Sequence, residues 1–485
     1  MASLEEIRTA RLAKLKKLTD AGYNPYPAIV AKDLTLKEAK AGFEALEKTG
    51  APKALAGRVT ALRGQGAIMF AVLDDGTGTF QAVFKKDDLP EVVFSLFIDT
   101  VDLGDIISVT GKFFTTQRGE PSLLVSNWQI AAKSLLPLPE KWHGLQDTEE
   151  RLRKRYLDFA TNKELRELFY QKAKFWQTTR RLLQEAGFLE VETPTLELTT
   201  GGAEARPFST HHHDYDLDVF LRISVGELWQ KRLMAGAFPR TFEIGRAYRN
   251  EGSSPEHLQE FTNLEFYASY LSFDEGVKFS ENLIKQVVQE TFGTLNFSDR
   301  ENGFDLSLEW PRIDYAQKIS ELTGIDVFKA SEAKMKAKLN ELKVKFEGDN
   351  RERLTDTLWK YCRKQIRGPA WLVNHPKLVS PLAKANPENP ETTLRVQLLL
   401  NGAEMSNGFA ELNDPLDQRS RFEEQAKLLA EGDKEAMMAD WEFVEMLEHG
   451  MPPVFGQCFG ERLFATLANK PIRETQLFPL VRPKE

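Results

Sequence analysis

A chain of 485 residues exceeds one ordinary domain and predicts two or more. With 41% hydrophobic and 28% charged residues it has a normal globular balance and ample core, and a net charge of −8 argues against indiscriminate coating of nucleic acid. Two cysteines, Cys362 and Cys458, exclude a disulfide framework or a cysteine metal cluster, and no apolar run approaches the ~20 residues that cross a membrane. The N-terminus, MASLEEIRTARLAKLKKL, is charged from its start and has no signal-peptide apolar region, so a cytoplasmic location without a membrane partner is expected.

Residues 4–21 carry Leu4, Ile7, Leu12, Leu15 and Leu18 among charges, an amphipathic helix ended by the AGYNPYP turn. Over 56–132, β-prone runs at 57–63, 68–73, 79–84, 106–114 and 122–130 are separated by DDGTG, LGD and TQRGEPS turns. The order strand, hairpin, strand, helix, two strands predicts an OB fold or another small barrel. Residues 134–160 read as a connector. Its cluster Arg151, Arg153, Lys154 and Arg155 is either a solvated helix face or a phosphate-facing one.

From 161 onward, long helices and strands mix without regular βαβ repetition, which predicts an α+β domain on an antiparallel sheet flanked by helices. A helix over 163–186 ends at Gly187 and leads into FLEVETPTL, a strand broken by Pro194. Three histidines, His211 to His213, cannot all ligate one ion from adjacent strand positions and read as a polar turn before DLDVFLRIS. Runs 242–249 and 261–270 form an antiparallel hairpin around a polar loop containing Gly252, Ser253, Ser254 and Pro255. Arg246, Arg249, Glu251, His257, Glu260 and Glu265 crowd this hairpin. Such charge costs stability unless something pairs with it, and a polyanionic nucleotide with its metal would. A Lys/Glu-rich helical stretch at 328–366 reads as an insertion, followed by a β-prone run over 395–413 and a closing turn, helix and final strand.

Neither GxxxxGK[ST] nor GxGxxG after a strand is present, so if ATP binds here it must be held by arginines and a strand surface. Arg249 and Arg462 are the candidate clamps, since guanidinium forks grip phosphate oxygens, although for either arginine alone a structural salt bridge is the commoner role. Glu404 and Glu411, seven apart, face opposite sides of an uninterrupted strand unless Asn407–Gly408 marks a bulge; an inward carboxylate there suits Mg²⁺ or an ammonium group.

The hairpin FEIGRAYRNEG…HLQEFTNLEFY resembles motif 2 of the class II aminoacyl-tRNA synthetases, GFLEVETPTL resembles motif 1, and FGERLFATL resembles motif 3 with its arginine. PLPEKWHGLQDTEERLRKRYLD, TTGGAEARPFSTHH, VSPLAK, NGFAELNDPLDQRSRFEEQ and KPIRETQLFP together are similar to the bacterial-type lysyl-tRNA synthetases, from about residue 55 to the C-terminus. This resemblance implies an N-terminal helix and OB-fold anticodon domain over 1–137, a linker over 138–160 and a class II catalytic domain over 161–485. It implies ligation of L-lysine to tRNA(Lys) through a lysyl-adenylate, with ATP as substrate, Mg²⁺ as cofactor and a homodimer.

By the same resemblance Arg249 holds the ATP α-phosphate, Phe261 stacks on adenine, Glu251 contacts its amino group, and Arg462 covers the other ring face and reaches the γ-phosphate. His257 lies near the distal phosphates and Glu404 binds Mg²⁺. Glu227 receives the lysine α-amino group with Glu265 nearby, while Tyr267, Asn407, Phe409 and Glu411 line the side-chain pocket. Arg63, Phe70, Gln81 and Glu120 fall where the family reads the anticodon; Phe70 alone would be a core aromatic, but its spacing from Gln81 across the DGTG turn favours stacking on a base. A buried carboxylate with no cation is costly, so Glu411 in a dry pocket would reject a neutral side chain.

Three departures stand out. Gln397 replaces a second acidic metal ligand, Cys458 a glycine before motif 3, and Leu258-Gln259 the Asn-Pro that often follows this histidine. A lysylating enzyme with a protein acceptor and an inactive RNA-binding paralogue are the alternatives; the barrel argues against the first, and Arg249, Arg462, Glu404 and Glu411 against the second.

Overall fold

The computed structural model describes residues 3–139, 147–203, 205–252, 257–301, 303–346, 348, 350–432 and 436–484. Part of the expected linker, 140–146, and Ser253, Ser254 and Pro255 of the hairpin loop lie outside the described residues. The chain divides into two compact units, Met1–Thr161 and Asn162–Glu485.

In the first unit a helix, Leu4–Asp20, begins at a Ser3–Glu6 capping box that satisfies two otherwise orphaned backbone donors. Strands β1 (Lys53–Gln65), β2 (Ile68–Asp74), β3 (Thr79–Lys85), β4 (Ile106–Thr115) and β5 (Pro121–Ala132) close into a barrel in the order β1-β2-β3-β5-β4, with a helix, Glu91–Thr100, between β3 and β4. Alternation along the strands sends Ala71, Leu73, Phe80, Ala82, Phe84 and Val109 inward. The basic cluster that follows is not one solvated helix face: Lys154 is exposed and Arg151 and Arg153 are half-buried. It spans two short helices, Thr148–Arg153 and Arg155–Thr161, and Arg155 is fully buried. Arg155 and Arg151 both grip Asp158, at 3.2 and 3.0 Å, as a buried guanidinium requires.

The second unit is built on nine strands: β6 (Leu189–Glu190), β10 (Arg240–Tyr248), β11 (Glu260–Ser269), β12 (Arg312–Asp314), β13 (Ala370–Val373), β16 (Arg395–Leu400), β17 (Ala403–Glu404), β18 (Ser406–Ala410) and β19 (Val454–Gly460). Their order is β12-β13-β16-β18-β19-β11-β10-β6, with β17 on β16, and pairing is antiparallel except at the two edges, β12–β13 and β10–β6. A small sheet joins β7 (Leu196–Glu197), β9 (Leu217–Leu221) and β8 (Ser209–His212), and a hairpin joins β14 (Ala385–Asn386) to β15 (Asn389–Thr393). The Pro194 segment is thus reduced to two short strands, and His211 and His212 lie in β8 rather than in the turn, which spans 213–216. His211 is exposed and its Nδ1 lies 2.9 Å from Asp218.

One face of the large sheet carries Phe242, Leu264, Phe266, Phe455, Phe459, Val396 and Leu398 against the helices Lys163–Glu185 and Phe273–Phe292. Residues one position away point to the other face, where polar groups collect. The stretch 328–366 holds the helices Glu332–Glu341 and Arg351–Arg363, whose Met335, Leu339, Leu354, Leu358 and Trp359 form a core with Leu372 and Leu399 of the sheet.

Two expectations are corrected. The run 395–413 is not one strand with a bulge at Asn407–Gly408; it turns at Asn401–Gly402, both at positive φ, a two-residue hairpin loop, and Asn407–Gly408 lies inside β18. Near the C-terminus GQCFG is not a turn but most of β19; the helix Glu461–Leu467 follows, then a 3₁₀ turn, Ile472–Thr475, and no closing strand among the described residues.

Candidate active site

Cross-strand register builds the site. Glu265 pairs with Glu243 and with Cys458, and Cys458 with Asn407; in the next row Tyr267 pairs with Gly456, Gly456 with Phe409, and Phe409 with Arg395. Residues paired across strands share a face, so Glu265, Tyr267, Cys458, Asn407 and Phe409 line one surface. Glu411 continues the Asn407–Phe409 alternation, its N–H donating to the Val454 carbonyl. Glu404 pairs with Leu399, which alternates with Arg395 and Gln397, so it reaches the same face by way of the hairpin.

At one end is a carboxylate pocket. Glu265 accepts from the Val225 N–H at 2.7 Å and the Tyr267 hydroxyl at 3.0 Å. Glu227 enters from the first turn of the helix Glu227–Ala235 and accepts from Lys231 Nζ at 2.7 Å, one helical turn on. Lys231 Nζ is also 2.6 Å from Glu411 Oε2 and lies 5.0 Å from the centre of the Phe409 ring. Lys231 is 1% exposed and Glu411 2%. Lys231 reaches Oε2 alone; Glu411 Oε1 is buried with no donor, so the carboxylate is half satisfied. Gly456 and Gly202 have no room for a side chain: a Cβ on the first would collide with Glu411 and Tyr267, and one on Gly202 with Glu227 and Ser224.

Burial pushes Glu411 up to about 8 against the pull of Lys231, and Glu265 up to about 7, with Glu227 adding to both rises. Burial likewise raises the Cys458 thiol to about 12. Carboxyls that ionise only as pH rises from about 6 to about 8.5 would bind an ammonium ligand more tightly over that range; calorimetric titration with a cationic amino acid checks this, and a flat pH profile would contradict it. Both carboxyls titrate above their unfolded values. They therefore favour the fold at acid pH and lose that contribution as pH rises through 7 and 8, and the ligand raises Tm more at the alkaline end.

At the other end sit the arginines. Arg249 donates through Nε to the Ile223 carbonyl at 3.3 Å, the one hydrogen bond of its guanidinium among the described residues, and lies 5.2 Å over the Phe261 ring. Phe261 packs against Leu258, Ala465 and Ile472. Glu251 follows at half-buried depth, its N–H donating to the Arg249 carbonyl, and His257 is exposed. Arg462, at the start of the helix Glu461–Leu467, donates to the Glu404 carbonyl at 3.3 Å.

A two-carboxylate metal seat does not fit these residues. Glu404 Oε1 accepts from Trp359 Nε1 at 2.7 Å and its Oε2 is 3.7 Å from Arg363, while the Gln397 amide oxygen is 2.9 Å from His375 Nε2. Among the described residues no group of three His, Cys, Asp or Glu side chains could hold a metal. The remaining donor, one carboxylate, suits Mg²⁺ arriving on nucleotide phosphates, which keep most of its coordination sphere.

Sequence reasoning missed Lys231, Arg395, Trp359 and Arg363. Arg395 donates to Asn407 Oδ1 at 2.8 Å and holds it against the pocket. Lys231 had a signal, the Glu227–Lys231 spacing of four, but that spacing ordinarily marks an exposed helix pair. Its presence corrects the expectation of a pocket without its own cation.

In the barrel Arg63 pairs with Phe70 and Val72 with Gln81, so Arg63, Phe70 and Gln81 share the outer face, outside the inward core. Gln81 donates to the Ser122 hydroxyl at 2.8 Å, and exposed Glu120 lies just before that strand.

Residues 147–482 match the family of class II tRNA synthetases for D, K and N, and residues 54–131 the OB-fold nucleic acid binding domain. The chain is similar to the lysine–tRNA ligase of Thermotoga maritima, 39% identical over 99% of this chain and 97% of the relative. It is 41% identical to that of Carboxydothermus hydrogenoformans over 99% of each, and 39% to that of Bacillus subtilis over 98% and 97%.

Proposed function

Because the chain belongs to the class II tRNA synthetases for D, K and N, and aligns nearly end to end with lysine–tRNA ligases, we propose that it joins L-lysine to tRNA(Lys) at the expense of ATP. The observation that chooses lysine is Glu411, buried at the end of the pocket with Lys231 at Oε2 and with an Oε1 that no donor of the protein meets. An ε-ammonium supplies that donor; a neutral side chain of equal length leaves it unsatisfied.

Lysine lies with its α-ammonium toward Glu227 and Glu265 and its side chain between Tyr267, Asn407 and Phe409. ATP lies over Phe261 with its amino group toward Glu251, its α-phosphate at Arg249, and its outer phosphates toward Arg462 and His257. The lysine carboxylate attacks the α-phosphorus, and pyrophosphate leaves with the bond electrons. The terminal ribose hydroxyl of tRNA then attacks the adenylate carbonyl and expels AMP. No side-chain nucleophile is needed. Arg249 neutralises developing phosphate charge, and the site holds both reactants in line. Glu404 is the carboxylate that would hold Mg²⁺ brought by ATP, an ion that supplies positive charge to the phosphates.

ATP–pyrophosphate exchange against all twenty amino acids tests the reading. Exchange with lysine alone is expected; exchange with another amino acid, or with none, rejects it.

The barrel's outer face reads the anticodon, Phe70 stacking on a base and Arg63, Gln81 and Glu120 meeting base edges. Phe70→Ala raises KM for tRNA roughly 5- to 150-fold, the worth of one stacked base, and leaves lysine-dependent exchange unchanged. A variant with wild-type KM for tRNA would remove Phe70 from the interface. The protein works as a homodimer in the cytoplasm: Leu189, Leu196 and Leu198, in and beside the motif 1 segment, are exposed and suit burial against a second copy. No described helix is long and apolar enough to cross a membrane.

A further inference from the structure

We propose that Lys231 is a resident counter-ion that fixes the unmet charge of the amino-acid pocket at two, so that the pocket is completed by a substrate bearing two ammonium groups. This rests on the lysine reading above and deepens it. Three carboxylates meet there: Glu227 from the helix Glu227–Ala235, Glu265 from β11, and Glu411 beyond β18. Among the described residues Lys231 is the one cation ion-paired with any of them, at 2.7 Å from Glu227 and 2.6 Å from Glu411. Three negative charges less one leave two, the number of ammonium groups on lysine.

The placement is firm. Lys231 Nζ is enclosed by the two carboxylates and by the rings of Phe409 and Phe443, at 5.0 and 5.9 Å, with 1% of the residue exposed. It cannot swing to solvent when substrate enters, so its charge is part of the site in both states. The other titratable groups beside the cluster are Tyr267 and Cys458, which stay neutral near pH 7, Glu243, opposite Glu265 and neutralised by Arg222 at 2.7 Å, and Glu197, which reaches Glu265 from the small sheet. Glu197 donates no cation and itself accepts from Trp229.

Three carboxylates and one ammonium cannot all stay ionised in a dry cavity, so the empty pocket holds protons, and lysine drives them out as its ammonium groups take their place. Removing Lys231 makes the empty pocket hold more protons. Lysine then binds weakly near neutrality and recovers as alkali removes them.

The experiment is calorimetric titration of lysine into the full-length protein, in buffers of differing ionisation enthalpy across neutral to alkaline pH. For the wild type, net proton release on binding is expected near neutrality; no release at any pH overturns the proposal without need of a variant. For Lys231→Met, lysine affinity is expected to fall at least tenfold near neutrality, with the gap closing as pH rises and ATP affinity unchanged. A gap that persists unchanged at alkaline pH marks a packing role and overturns the charge argument, as does wild-type affinity throughout. Exchange that responds to an amino acid other than lysine defeats the substrate reading instead; lysine-only exchange with an unaffected Lys231→Met defeats the role of Lys231 alone.

Discussion

Arg249→Ala is expected to abolish lysine-dependent ATP–pyrophosphate exchange, with kcat down by about 10²–10³-fold, the range for removing one preorganised donor from a developing anion. The physical basis is that Arg249 is committed to little else. It spends one N–H on the Ile223 carbonyl and lies over Phe261, leaving the rest of the fork for phosphate. Structural damage should be slight, because no ion pair of Arg249 is lost among the described residues. Tm within a few degrees of wild type, with activity gone, is the expected pair of results. Exchange near the wild-type rate would remove Arg249 from the reaction.

Glu411→Gln is expected to raise KM for lysine by about 150- to 5,000-fold, since breaking one side of a buried charge pair costs about 3–5 kcal/mol. The amide keeps the volume, so the pocket beside Gly456 and Tyr267 stays filled, but the ε-ammonium loses its counter-charge and Lys231 one of its two. ATP affinity should stay at the wild-type value because Glu411 lies at the amino-acid end. Equal losses in lysine and ATP binding would instead signal a collapsed sheet.

Much of this was legible before any coordinates. The five barrel strands, the charged hairpin and the helix before FLEVETPTL follow from alternation, turn residues and helical spacing, all local signals. What failed was also local. LLLNGAEMSNGFAEL contains Asn-Gly twice, and periodicity cannot say which pair turns the chain; the first does, at positive φ, because β17 folds back on β16 there. Lys231 and Trp359 were invisible for another reason. Each lies on a helix whose buried face is set by contacts with distant strands, so spacing within the helix does not reveal which polar residue points inward. Arg155 misled similarly, as one of four adjacent basic residues of which it alone is fully buried.

The two faces of β19 have an evolutionary consequence. Gly456, Cys458 and Gly460 border the ligand surface while Phe455, Gln457 and Phe459 turn toward the aromatic core, so each alternate position answers to a different constraint. A single inserted or deleted residue within Val454–Gly460 would exchange the two sets, driving phenyl rings into the substrate and stripping the core. Single side chains on this strand can therefore change one position at a time, whereas its length cannot change without exchanging its two faces.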